Sequence, residues 1–303
     1  MSYNLAGFGA NITDLRKNLK LTQKNISETS GIHVDTLRKI EKGKVIPTQE
    51  TLDLLSLVLN KDLNKLLLNY RLQNYLEYQK TSMSIEAKLD KDDFNELAIE
   101  LDRLNQVLNK TSHLFFINQI KQLQLLIESI ILNKKHDLPL ESLSKLIQAI
   151  CITTGGFTLN SYENFVYNTL ELRILMNIAL ILNKTESAEK SLEIMEFCIK
   201  MVDPSENLYP KICYNLAYTY HRLDLHEKAL EYSKLGIEFC NYYRNYNGLN
   251  LLYHRKGVAE YHLGIDSYLS SLKKAINFCD VLGQEKLKKL LIDNCKKFYN
   301  IEL

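Results

Sequence analysis

The chain has 303 residues, of which 46% are hydrophobic and 24% are charged, and its formal net charge is +2. This composition excludes an intrinsically disordered chain, and the low content of Gly (11) and Pro (4) favours an all-α protein. Six cysteines occur singly, which predicts reduced thiols. With neither a leader pattern nor an apolar run of membrane-spanning length, the sequence predicts a cytoplasmic protein with no membrane partner.

Positive charge is concentrated near the N-terminus. Residues 11–44 contain eight Lys or Arg and four Asp or Glu, a net charge of +4. Residues 71–303 contain 28 basic and 29 acidic residues, a net charge of −1. A basic segment attached to a nearly neutral body predicts that the N-terminal segment alone contacts nucleic acid.

The basic segment contains the pattern of a helix-turn-helix. Thr22 is a suitable N-cap for a helix over 23–30, and Gly31 lies where the chain requires a sharp turn with positive φ. A further helix is predicted before it, because three apolar residues follow helical spacing: Ile12, Leu15 and Leu19.

The helix after the turn is predicted to begin at His33 or Val34 and to end at Gly43. Its inner face carries Leu37 and Ile40, and Ile32 fills the core before it. A fourth helix and a closing segment complete the predicted bundle through Leu52, Leu55, Leu59, Leu63, Leu66 and Leu67.

The polar outward residues of this helix are the candidate DNA contacts. Arg38 can bond guanine, Asp35 can accept a bond from cytosine, and Val34 can contact a thymine methyl. The residues predicted to face outward on this helix are His33, Val34, Asp35, Thr36, Arg38 and Lys39. Those predicted to hold phosphates are Arg16, Thr22, Gln23, Lys24, Lys42 and Lys44.

The remainder of the chain predicts paired helices. A domain over 1–69 is followed by a linker helix and hinge over 70–90 and by a body over 91–303. Small and apolar residues at tetratricopeptide spacing occur at Leu216, Ala217, Tyr220, Ala229 and Gly236, and again 38 residues earlier at Ile178, Ala179, Leu182, Ser191 and Cys198. Gly257 lies 40 residues after Ala217. Residues 94–152 indicate helices without a repeat register.

The first helix of each pair supplies the candidate peptide-binding residues. Asn177, Asn215 and Arg255 occupy one equivalent repeat position, and Tyr214, Tyr218 and His254 are their neighbours. An asparagine side chain can bond both the N–H and the C=O of an extended peptide, and tyrosines offer flat apolar surfaces. The repeat pattern therefore predicts a peptide groove lined by the first helices.

Taken together, these features resemble the PlcR-like receptors for intracellular signalling peptides of Gram-positive bacteria. The N-terminal segment resembles the repressor-type helix-turn-helix family in Leu15-Arg16, Leu21-Thr22-Gln23, Ile26-Ser27, Gly31-Ile32, Leu37, Ile40-Glu41, Gly43 and Pro47. This resemblance implies that Val34, Asp35, Thr36 and Arg38 or Lys39 touch base edges. In the body the resemblance to the PlcR-like receptors rests on the stretch 214–220, on 229–231 and on Asn177. The resemblance implies an all-α fold with an N-terminal helix-turn-helix bundle and a right-handed α-solenoid of tetratricopeptide-like pairs. It also implies a homodimer, a palindromic double-stranded DNA operator and a short signalling peptide.

The sequence predicts no enzyme, no cofactor and no metal. Gly7-Phe-Gly9 lacks the third glycine and the preceding strand of a dinucleotide loop. The pairs His221 with His226 and His254 with His262 lack the four-residue spacing that places two ligands on one helix face.

Two other functions are compatible with the same patterns. One is a helix-turn-helix regulator whose repeats bind a partner protein instead of a peptide. The second is an enzyme fused to a DNA-binding segment, which a deep pocket containing a strongly perturbed carboxylate or histidine would favour.

Overall fold

The structure, a computed structural model, describes residues 3–71, 75–90 and 94–303. Within these ranges the chain forms sixteen α-helices, two short 3-10 turns and no strand, so the predicted all-α class is confirmed. The helices are α1 (Leu5–Asn18), α2 (Gln23–Ser30), α3 (Val34–Glu41), α4 (Gln49–Leu59), α5 (Leu63–Leu68), α6 (Tyr75–Asp90), α7 (Leu97–Asn109), α8 (Leu114–Lys135), α9 (Pro139–Cys151), α10 (Thr169–Thr185), α11 (Ala188–Met201), α12 (Leu208–Arg222), α13 (His226–Tyr242), α14 (Leu249–His262), α15 (Tyr268–Val281) and α16 (Glu285–Tyr299).

The chain divides into two compact units. The first comprises Met1–Ser84 with Asp102–Ile117, and the second comprises Ile85–Leu101 with Asn118–Leu303. The predicted linker over 70–90 therefore contributes residues to both units.

The first unit has a single apolar core formed by α1 to α5. Leu37 and Ile40 of α3 are buried in it, as the spacing predicts, together with Phe8, Ile12 and Ile26. Side-chain oxygens cap the helix starts at Asn4, Thr22, Thr48 and Asp62, which satisfies backbone N–H groups that lack partners within each helix.

The predicted place of Leu19 in the first helix is wrong. α1 begins at Leu5, where Asn4 caps it, and it ends at Asn18. Leu19 is the C-cap residue and is exposed. The spacing of apolar residues does not reveal this end, which is marked by the positive φ of +57° at Lys20.

The second unit contains the helix pairs that the repeat pattern predicts. They are α10 with α11, α12 with α13, and α14 with α15, and α16 follows the last pair. The residues of both predicted repeats are buried. Position 257 has room only for glycine, because a Cβ atom there would lie 2.7 Å from Leu272 Cγ.

Five of the six cysteines are buried free thiols, and Cys151 is exposed. Burial raises the pKa of the Cys198 and Cys240 thiols to about 12, so these groups stay protonated at neutral pH. In the described part of the chain, no helix is both long and apolar enough to span a bilayer.

Candidate functional site

The turn between α2 and α3 has the geometry that the sequence predicts. Thr22 accepts a bond from Asn25 N–H, and the Asn25 side chain accepts one from Thr22 N–H, which closes a capping box. Gly31 has φ of +75° and ends α2. His33 caps α3 by accepting a bond from Asp35 N–H at 3.2 Å through Nδ1. The helix therefore begins at Val34.

A buried ion pair joins α3 to the rest of its unit. Arg16 on α1 donates to both carboxylate oxygens of Glu41, the last residue of α3, at 2.6 and 3.1 Å. Gln23 on α2 donates to Glu41 Oε2 at 2.7 Å, and Arg16 also donates to the Leu21 carbonyl at 3.1 Å. The side chains of Arg16 and Glu41 are only 13% and 6% exposed. Arg16 and Gln23 thus hold α3 in position, and their predicted phosphate contacts stay predictions.

Most of the remaining candidate DNA contacts are exposed, and we call them together the α3 surface. Arg38 and Asp35 form an ion pair at 2.7 Å on it, with both side chains more than half exposed. Lys24 pairs with Glu28 at 3.7 Å. Val34 is partly buried, whereas the exposed members of the surface are Thr22, Lys24, His33, Asp35, Thr36, Arg38, Lys39, Lys42 and Lys44.

In the second unit, the first helices of the pairs present the predicted asparagines. Asn177 on α10 and Asn215 on α12 are both partly buried. Asn177 Nδ2 donates to the Arg173 carbonyl of its own helix at 2.8 Å, and Asn215 Nδ2 lies 3.5 Å from Met176 Sδ. We use the name first-helix face for the side of α10, α12 and α14 that carries Asn177, Asn215, Tyr218 and Arg255.

Arg255 on α14 lies against the predicted tyrosine on α12. Its guanidinium carbon is 4.4 Å from the centre of the Tyr218 ring, a cation–π distance. Arg255 Nε is buried without a hydrogen-bond partner among the described residues, and burial lowers the pKa of Arg255. Tyr214 is partly buried, and its ring lies beside Gly248. The structure thus brings Tyr218 and Arg255 together on the first-helix face.

His254 does not lie on the accessible part of that face, which corrects the prediction. Its side chain is 3% exposed, and Nε2 lies 3.6 Å from Cys295 Sγ of α16. The physical reason is that adjacent residues of a helix point about 100° apart, so His254 faces the core while Arg255 is partly buried against Tyr218. A peptide contact by His254 has no support from its position.

Sequence reasoning missed a charged cluster on the first-helix face. Glu86 on α6 accepts bonds from Arg173 on α10 and from Lys211 on α12, the second at 2.9 Å. Burial alone raises the pKa of Glu86, but the two cations bring it below its ordinary value. Arg173 and Lys211 are 38 residues apart and each precedes an asparagine by one turn, so the repeat shift itself was a usable signal.

The structure also brings together histidines that the sequence spacing separates. His221, His226 and His262 have one ring nitrogen each within 4.8 Å of the others. They come from α12, α13 and α14. The spacing rule failed to reveal this cluster because it considers only ligands on a single helix.

Comparison with known proteins agrees with this geometry. Residues 12–66 match the family model described as Helix-turn-helix. Over the whole chain, the crystal structure of Bacillus thuringiensis PlcR in complex with the peptide PapR7 and DNA matches with a TM-score of 0.75 and 18% identity, covering 95% of this chain and 99% of PlcR. The fold is that of PlcR.

Two further regulators share the fold. The Streptococcus dysgalactiae SHP pheromone receptor Rgg2 matches with a TM-score of 0.60 and 11% identity, covering 96% of this chain and 99% of the receptor. ComR from S. thermophilus, in complex with DNA and its signalling peptide ComS, matches with a TM-score of 0.51 and 15% identity, covering 94% and 97% of the two chains. The search of curated proteins finds no match. The predicted resemblance to PlcR-like regulators is thereby confirmed in fold and in the helix-turn-helix segment.

Proposed function

We propose that the chain is a sequence-specific transcription regulator of the quorum-sensing type, without enzymatic activity, whose second unit binds a short signalling peptide in the cytoplasm. The observation that carries this proposal is the α3 surface, where an exposed polar helix face is held rigidly by the Arg16–Glu41 pair. PlcR and ComR, which share the fold, have been solved with both a peptide and DNA, and this supports the same pair of partners here.

The α3 surface suits the major groove of DNA. Its Arg38–Asp35 pair is exposed, and such pairs contribute little to stability, so both side chains can exchange their bond for one to a base edge. Lys39, Lys42 and Lys44 extend the positive charge along one end of the helix toward the phosphates. We propose that a homodimer presents two such surfaces to a palindromic operator.

The first-helix face suits the backbone of an extended peptide. Among the residues that the structure describes, the amide of Asn177 bonds only a carbonyl of its own helix, and that of Asn215 has only a weak sulfur contact. Both amides can therefore turn to a peptide N–H and C=O at small cost. They lie at equivalent positions of consecutive helix pairs. We propose that the two asparagines act as clamps, each bonding the backbone of one extended peptide at a different point.

Arg255 suits a carboxylate of the same peptide. Among the described residues no Asp or Glu lies within ion-pair distance of it, although burial lowers its pKa. A peptide carboxylate would supply the missing negative charge, and the Tyr218 ring would hold the guanidinium in its orientation.

The coupling to DNA is proposed to run through α6. Glu86 on α6 bonds Arg173 and Lys211, each one turn from a proposed clamp. An acidic group of the peptide that competes for these cations would shift α6, whose earlier residues belong to the first unit. The peptide shifts the population only if it binds the two states unequally.

Affinity selection tests the peptide half of the proposal. The full-length chain is incubated with pooled random heptapeptides bearing a free C-terminal carboxylate, and retained peptides are identified by mass spectrometry. The Kd of a retained peptide is then measured. Asn215→Ala is expected to weaken binding by about 1–3 kcal/mol, because it leaves a buried peptide group without a partner.

The exposed Asn164→Ala is the matched control and is expected to leave the Kd unchanged. If the wild type retains no more peptide than the Asn177→Ala/Asn215→Ala double variant, the peptide assignment fails and a protein partner becomes the better interpretation of the repeats.

A further inference from the structure

The three clustered histidines lie at helix ends that meet on one side of the second unit. His221 is in the last turn of α12, His226 is the first residue of α13, and His262 is the last residue of α14. The short connection between the first two contains Asp224, which has φ of +56° and reverses the chain. The cluster is accessible, because His262 is exposed and the other two are partly buried.

The spacing of the ring nitrogens matches a metal site. His221 Nδ1 and His226 Nδ1 face each other at 3.2 Å. In a tetrahedral zinc site with Zn–N bonds of 2.0–2.1 Å, two nitrogen ligands lie about 3.3 Å apart. The ligand atom of His262 completes a set within 4.8 Å. Its exposed ring is stacked on His226 with centroids 4.3 Å apart, so it must turn out of this stack to bind the same ion.

The outward nitrogen of His221 has a hydrogen-bond partner, and that of His226 lies near a carboxylate. His221 Nε2 lies 3.0 Å from the Tyr299 hydroxyl of α16, and His226 Nε2 lies 3.8 Å from Asp224 Oδ1. A ligating histidine donates its other N–H to a carboxylate, a carbonyl or a comparable acceptor, which fixes the tautomer and aims the free lone pair at the metal. With protons on both Nε2 atoms, both Nδ1 lone pairs point at the same place.

Two of the three rings favour the neutral form, which is the form that binds a metal. Burial, together with the neighbouring His226, His262 and Arg255, lowers the pKa of His221 to about 4. Burial and His226 also lower the pKa of His262.

We propose that His221, His226 and His262 form a binding site for a divalent transition-metal ion such as Zn²⁺, with the fourth position left to water. Imidazole nitrogens select zinc, copper and nickel over calcium and magnesium. The bound ion links the ends of α12, α13 and α14. The site is independent of the proposed peptide and DNA contacts, and its test uses neither.

Calorimetric titration of Zn²⁺ into the full-length, untagged and EDTA-stripped chain measures the site directly. We expect one equivalent per chain and a rise in melting temperature, because an ion that binds only the folded state stabilises it. Co²⁺ in place of Zn²⁺ is expected to give the visible absorption of a tetrahedral complex.

Three variants make the result decisive. His262→Gln, at an exposed position, is expected to abolish the saturable binding, whereas His136→Gln, an exposed histidine outside the cluster, is expected to bind like the wild type. Tyr299→Phe is expected to keep the stoichiometry and weaken affinity about 10-fold by removing the partner of His221. Equal binding by wild type and His262→Gln, or no saturable binding by the wild type, overturns the proposal and leaves a hydrogen-bonded aromatic cluster.

Discussion

Glu41 is the residue that links the helix-turn-helix pattern to its geometry. It accepts bonds from Arg16 and Gln23, so one carboxylate connects α1, α2 and α3. The residues that carry the sequence resemblance include all three of these side chains. Their spacing is thus explained by a buried network, since a charge that is only 6% exposed requires fixed partners.

His254 predicts a pH dependence of stability. Burial, followed by Arg255 and His221, lowers its pKa to about 3 in the folded chain, against 6.5 for the free side chain. Between these two values the unfolded state binds one more proton, so stability is full above pH 6.5 and falls as the pH falls. His254 alone is expected to remove about 2 kcal/mol between pH 7 and pH 5.

Urea unfolding at pH 7 and pH 5, with EDTA present, measures this effect. His254→Leu is expected to lose less stability over that interval than the wild type, by about 2 kcal/mol. His136→Leu, at an exposed position, is the control. An identical loss in wild type and His254→Leu contradicts the assignment.

Single residues were predictable where the repeat is regular. The equivalent positions of Asn177 and Asn215 on the first helices of two pairs could be predicted because a shift of 38 residues relates them. The pairing of Arg16 with Glu41, the burial of His254 and the histidine cluster could not be predicted, since each depends on side chains from different helices. Long-range contacts of this kind leave no periodic signal in one sequence.

At the scale of elements, the contact of α1 with α3 depends on Gly9. A Cβ atom at this position would lie 2.4 Å from the Glu41 carbonyl oxygen and 2.5 Å from that of Ile40. Both are backbone atoms, so no side-chain rotation can relieve the contact. Gly7-Phe-Gly9 therefore includes a helix-packing glycine.

Gly9→Ala is expected to destabilise the first unit by at least about 2 kcal/mol, even after the gain in helix propensity. Gly155→Ala is the matched control, because a Cβ atom there meets nothing within 4 Å and its φ is not positive. Chemical denaturation of the two variants compares them. Equal stability of both would show that α3 moves away without cost.

The helices differ in how well their pattern predicts them. α2 was predicted correctly because Thr22 and Gly31 mark its two ends, and the later helix pairs because small residues recur where helices cross. The helices α7, α8 and α9 gave no repeat register. In α8 the buried residues Ile120, Leu123, Leu126 and Ile127 share one face, but partly buried apolar residues such as Ile117 and Leu125 occupy the other side of the helix, which obscures the period of 3.6.

At the scale of the whole molecule, the fold joins a DNA-binding type of unit to a repeat unit that has its own candidate ligand face. The described structure provides two separate ways to alter the second unit, the first-helix face and the histidine cluster. The first is proposed to sense a peptide, and the second is proposed to hold a metal. Both involve α12 and α14, which carry Asn215, Tyr218, His221 and Arg255.

Selection from a random duplex DNA library, using the full-length chain with and without the pooled heptapeptides, tests the central claim. The account predicts that the wild type enriches one recurrent sequence with two inverted half-sites, and that the peptides change the enrichment. Arg38→Ala/Lys39→Ala is predicted to lower affinity for that sequence about 100-fold. Lys61→Ala/Lys65→Ala removes the same charge from exposed positions outside the α3 surface. This variant is predicted to keep the affinity of the wild type for that sequence. Absence of any recurrent sequence under both conditions, or equal enrichment by the two double variants, would contradict the account.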